Sequence, residues 1–82
     1  MTVYVDNARN PFGRMIMCHM TADTLDELHA MATQLGLRRW FQDHHYPHYD
    51  ISLSKRKQAI ELGAVEVDVR ERVRQMREER MK

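Results

Sequence analysis

Between Thr24 and Gly36 the sequence marks both ends of a helix, and the rest of the chain must be arranged to cover that helix's apolar stripe. Thr24 and Glu27 stand at capping-box spacing, with Asp23 as the alternative cap. Leu25, Leu28, Ala32 and Leu35 recur at intervals of 3, 4 and 3, one face of a helical period. Gly36 follows where a left-handed C-terminal residue belongs. A stripe of this kind needs a sheet or other helices against it.

The partners are short. Thr2–Val5 is a β-branched and aromatic run that predicts a strand, and Asn7–Gly13, with Asn10-Pro11, predicts a loop. Met15–Met20 predicts a second, largely buried strand, with Tyr4, Met15, Met17 and Met20 in the core. Leu37–Asp50 has no clear period and reads as a long polar, aromatic connection, a type often used for function. Ser54 is expected to cap a second helix through Leu62, with Gly63 as its stop. Ala64–Asp68 alternates as a strand, and Val69–Met81 forms a last helix with a narrow seam of Val69, Val73 and Met76. The predicted class is α/β (or α+β), a small sandwich of order β-β-α-loop-α-β-α with a three-stranded sheet. Residues 1–68 are its core domain; residues 69–82 are a charged helix packed on it or extending from it.

With 82 residues there is room for one domain of modest burial. The single cysteine, Cys18, cannot form an internal disulfide, which favours a reducing compartment. Met1–Arg14 lacks the basic start and apolar run of a signal peptide, and no stretch approaches the roughly 18 apolar residues of a membrane span. A cytoplasmic protein without a membrane partner is therefore expected. A homo-oligomer built through the Val69-Val73-Met76 seam is expected too, because small chains gain burial by association. The formal net charge is +1, which counts against nucleic acid as the main partner. The basic final segment keeps it as a lesser alternative.

Several residues invite chemistry. Lys55, Arg56 and Lys57 fill the first turn of the second helix, where the dipole disfavours each cation by roughly 0.3–1 kcal/mol. Three solvated side chains explain that; an anion held at the helix start explains it as well. Arg38 and Arg39 suit the C-terminal end of the first helix, and Arg39 beside Trp40 and Phe41 can also grip a phosphate or stack on a base. Asp43, His44, His45, His48 and Asp50 crowd eight residues, but no established zinc spacing appears. No structural zinc is expected at His44-His45, and no metal or cofactor is assigned. His48-Tyr49-Asp50 places a carboxylate near an imidazole, an acid–base unit. His19 in its apolar run and His29 beside the helix stripe suit partly buried, hydrogen-bonded roles. Asp6 ends the first strand, where α/β sheets hold ligands, though a turn uses Asp equally well. P-loop, GxGxxG and GxSxG motifs are absent.

Val3-Tyr4-Val5-Asp6, Cys18-His19-Met20 with Asp23, Glu27-Leu28-His29-Ala30, Arg38-Arg39, His48-Tyr49-Asp50 and Gly63-Ala64-Val65 follow one another along the chain. In that order they resemble the bacterial and phage family filed as domain of unknown function 4031, over about Met1 to Asp68. The resemblance implies a site at Asp6, His19, Asp23, His29, Arg39, His48, Tyr49 and Asp50, without an established activity to attach to it. Asp43–Pro47 is longer than the family's usual stretch there, and the charged final helix lies outside what the resemblance explains.

Three functions compete. The leading one is binding of a phosphorylated small molecule or nucleotide in a cleft lined by those residues together with Arg56. The second is a small metal-dependent or acid–base hydrolase, with His19 or His48 as the base and Asp6, Asp23 or Asp50 as metal ligand or orienter; His19, His48 and Asp50 are the catalytic candidates. The third is nucleic-acid binding through the basic C-terminal helix.

Overall fold

The computed structural model describes residues 2–37, 41–42 and 47–81, with 41–42 and 79–81 described by their backbone alone. Its elements are β1 (Val3–Val5), β2 (Asn10–Phe12), β3 (Met15–Ala22), α1 (Leu25–Gln34), β4 (Phe41–Gln42), β5 (Pro47–Ser52), α2 (Leu53–Glu61), β6 (Val65–Glu66) and α3 (Val69–Met81). The sheet runs β4-β5-β3-β1-β6, and β2 also pairs with β3. Among the described residues, only β1 and β6 pair in parallel. The class is the expected α+β sandwich, with a larger sheet than the three strands predicted.

Two missed strands account for much of the difference. β2 lies in the segment read as a loop, because Asn10-Pro11 is a strong turn signal. Proline is compatible with a sheet edge, and Gly13, at φ 60°, makes the tight turn between the paired residues Phe12 and Met15. β5 lies in the segment read as an irregular connection. Its apolar residues Tyr49 and Ile51 alternate with His48 and Asp50, a weak signal within a polar stretch.

That alternation organises the molecule. Cys18 pairs with Ile51 and Met20 with Tyr49, all four buried on one face. Val5 joins them from β1, and Leu28, Met31, Ala32 and Leu35 of the α1 region close over them with Ala59 of α2. The other face carries Tyr4, His19, Thr21, His48 and Asp50, and there α3 lies. Met20 is core as expected. Met15 is 48 % exposed near the hairpin turn, and Tyr4 points to the polar face, so neither belongs to the core. Met17 is half-buried.

The helix ends follow local rules. Thr24 caps α1, accepting from Glu27 N–H at 3.2 Å and donating to Glu27 Oε1 at 2.9 Å. Gly36 at φ 74° permits Leu37 N–H to reach Ala32 O at 2.9 Å, a Schellman closure. Gly63 at φ 109° does the same for α2. The α2 cap is Ser52, not Ser54; Ser52 accepts from Lys55 N–H, and Ser54 bonds Ser52 from within the first turn.

Of the α1 stripe, Leu28 and Leu35 are buried, whereas Leu25 is 45 % exposed. Leu28→Ala should therefore cost about 2–5 kcal/mol in urea unfolding, and Leu25→Ala under about 1 kcal/mol. Equal costs for the two would contradict this packing. Burial pushes the Cys18 thiol up to about 11, with the Asp6 charge adding to it. An alkylating reagent at mildly basic pH should modify Cys18 only in denaturant; rapid native labelling would contradict its placement.

Candidate functional site

The site grows from an irregularity in the β1–β3 ladder. Between the Val5–Met20 and Asn10–Met17 pairs, residues 6–9 face only residues 18 and 19. The surplus leaves backbone donors that need partners. Asp6 supplies them: its Oδ1 accepts from His19 N–H at 2.9 Å and from Ala8 N–H at 3.1 Å. Its Oδ2 lies 2.8 Å from His19 Nδ1. Asp6 is 5 % exposed, so the imidazole is held by a buried carboxylate that is itself pinned by the backbone.

Burial pushes the Asp6 carboxyl up. The ring and backbone hydrogen bonds of His19, its charge and the Ala8 N–H together outweigh that effect, and the net value falls below the ordinary one.

With Nδ1 engaged by Asp6, His19 Nε2 faces β5, 3.8 Å from Asp50 Oδ1. His48 Nε2 lies 3.5 Å from the same oxygen. The two imidazoles meet edge to face, centroids 5.4 Å apart. β3 and β5 thus bring His19, His48 and Asp50 to one spot, because the register sets His19 opposite Asp50, and Asp6 joins them from the end of β1.

Beside them a cavity of ~130 Å³ opens under α3, roofed by Val69, Val73 and Met76 and walled by Thr21 and Arg72. The seam expected to dimerise therefore faces its own sheet. Arg72 is 3 % exposed. It donates to Thr21 Oγ1 at 3.0 Å and stacks over the Tyr4 ring at 3.8 Å. Among the described residues it has no carboxylate partner. Sequence reasoning missed Arg72, Thr21 and Tyr4. A signal existed, since Val69, Arg72, Val73 and Met76 share the spacing of one helical face.

The other expected site residues lie elsewhere. Tyr49 points into the core, where its hydroxyl and His29 Nδ1 are 2.9 Å apart, on the face opposite His48 and Asp50. Alternation splits the His-Tyr-Asp triplet, so Tyr49 and His29 do not join the cavity. Asp23 accepts from Tyr4 hydroxyl at 2.9 Å and Thr2 N–H at 3.1 Å, tying β1 to the end of β3. Arg56 donates to Asp6 O at 3.0 Å and pairs with Glu66 at 3.1 Å, supporting the site from behind. Lys55 Nζ reaches Leu35 O at 2.7 Å, at the C-terminal end of α1. Two of the three cations at the α2 start thus have partners within the chain. Arg38, Arg39, Trp40, Asp43, His44, His45 and Tyr46 lie outside the described residues.

Asp6→Asn should lower stability at neutral pH by about 1–3 kcal/mol, by weakening a buried charged hydrogen bond. Because folding depresses the Asp6 value, its contribution is present above the ordinary carboxylate range and is lost as pH falls through the folded value. Urea unfolding should show the wild type losing its advantage over Asp6→Asn on acidification. A difference that does not change with pH would contradict the assignment.

No curated protein and no solved structure matches the chain. The family described as "Protein of unknown function (DUF4031)" matches residues 3–79, nearly the whole sequence. On that extent of match, the chain belongs to the DUF4031 family of proteins of unknown function.

Proposed function

We propose that this protein is a small hydrolase acting on a phosphate-bearing small molecule, with His19, His48 and Asp50 as its reactive group. One observation carries the reading: an imidazole fixed by a buried carboxylate meets a second imidazole and a second carboxylate beside a cavity. Carboxylate-oriented histidines suit proton transfer and water activation. His19, His48 and Asp50 are not among the apolar core residues, which lie on the other face of the sheet.

The anionic substrate follows from Arg72. Its buried charge lacks a carboxylate among the described residues and lies against the cavity wall, where a phosphate would complement it. Water activated among His19, His48 and Asp50 attacks phosphorus. The bond to the leaving oxygen breaks, and the proton given up by water ends on that oxygen. The cations at the α2 start do not bear on the phosphate, because Lys55 and Arg56 are engaged within the chain.

The test is phosphate release from a panel of nucleotides and sugar phosphates, run with and without added divalent metal. Turnover is expected, and His48→Ala or Asp50→Ala should reduce it by roughly 10²–10⁴-fold. Both side chains are partly exposed, so the variants should fold. No release from any compound under either condition, or full activity in both variants, overturns the proposal.

A further inference from the structure

We propose that His19, His48 and Asp50 form a binding site for a divalent transition-metal ion of the zinc or cobalt class. The inference deepens the hydrolase reading by naming what activates the water, and it rests on that reading only for the ion's role in turnover.

The geometry supports it in three ways. One donor atom from each of the three residues lies within 4.8 Å of the others, a group that arises from two paired strands. Metal–ligand bonds of about 2.0–2.1 Å at tetrahedral angles set ligand atoms roughly 3.3 Å apart. The 3.5 and 3.8 Å separations from Asp50 Oδ1 to the two Nε2 atoms are close to that, within small side-chain rotations.

The second point is the outer shell. A ligating histidine commonly gives its other ring N–H to a carboxylate, which fixes the tautomer and strengthens the ligand. Asp6 Oδ2 stands 2.8 Å from His19 Nδ1, and because an ionised carboxylate only accepts, Nδ1 is the donor and Nε2 is the ring atom on the Asp50 side that would ligate the ion. Asp6 is a positioning residue here, not a ligand.

The third is the ligand count. Two imidazoles and one carboxylate leave further positions on the ion for water and substrate, the pattern of catalytic rather than structural sites. The cavity under α3 adjoins His19 and His48, so those positions are within reach of a small ligand. Spacing along the chain predicted no metal, because the ligands are separated by 29 residues between His19 and His48 and meet only through strand register.

The experiment titrates the chelator-stripped full chain with Co²⁺, followed by visible d–d absorption, with Zn²⁺ competition for affinity. Saturable, stoichiometric binding is expected, with a tetrahedral or five-coordinate spectrum. His48→Ala and Asp50→Ala should abolish the saturable phase while keeping the far-UV circular dichroism of the wild type. Asp6→Asn, which can still accept the His19 backbone N–H, should weaken binding by roughly 10–100-fold. His29→Ala, on the opposite face, should bind as the wild type does. Absence of saturable binding, or binding that survives His48→Ala and Asp50→Ala but is lost with His44→Ala or His45→Ala, overturns the site. Phosphate release persisting undiminished in chelator would overturn the metal and leave the hydrolase standing. Tight, variant-sensitive Co²⁺ binding without any turnover would do the reverse.

Discussion

One carboxylate, that of Asp6, makes the polar face of the sheet possible. The surplus residues between β1 and β2 open the ladder at the point where the sheet would otherwise be regular. An unfilled backbone donor there would cost about 1–3 kcal/mol. Asp6 substitutes a side-chain oxygen for the missing carbonyl and, with its second oxygen, holds His19. The same group therefore repairs the fold and orients the imidazole. Arg56 accounts for the carbonyl of Asp6 from the other side, so the residue is anchored through both backbone and side chain.

The two sheet faces divide stability from chemistry. Val5, Cys18, Met20, Tyr49 and Ile51 are buried under α1 and α2 in an apolar layer. The intervening residues present histidine, aspartate and threonine to α3. This helix is attached differently from the other two. Asp68 caps it and accepts from Asn7 Nδ2, Asn7 Oδ1 accepts from Val69 N–H, and Arg72 reaches through to Thr21 and Tyr4. Its attachment is largely polar, and a cavity remains beneath it. A roof held by a few directed contacts leaves space for a ligand that a packed apolar layer would fill.

Charge placement that looked anomalous along the chain is resolved by long-range partners. Lys55 and Arg56 oppose the dipole of their own helix, yet Lys55 complements the C-terminal end of α1 and Arg56 meets Glu66 and Asp6. The local penalty, at most about 1 kcal/mol per cation, is offset by contacts with elements some 20 and 50 residues away. The helix start thus gives no independent evidence for a bound anion. Arg72, in the charged final helix, is the cation that borders the cavity.

By itself the sequence determined the α+β class and the helix ends apart from the α2 cap, because caps, left-handed glycines and apolar periods act within a few residues. Thr24, Gly36 and Gly63 each do what their local chemistry requires. It also singled out Asp6, His19, His48 and Asp50 as chemically notable. Only the tertiary structure decided which candidates meet. Strand alternation sends Tyr49 to the core and His48 and Asp50 to the other face, and antiparallel register sets Asp50 opposite His19. β2 and β5 were illegible because a turn-like Pro11 and a polar alternation become strands only when β3 supplies their hydrogen-bond partners. A side chain's neighbours 29 or 53 residues away, as for His19 with His48 and Arg72, depend on pairing geometry that no local pattern encodes.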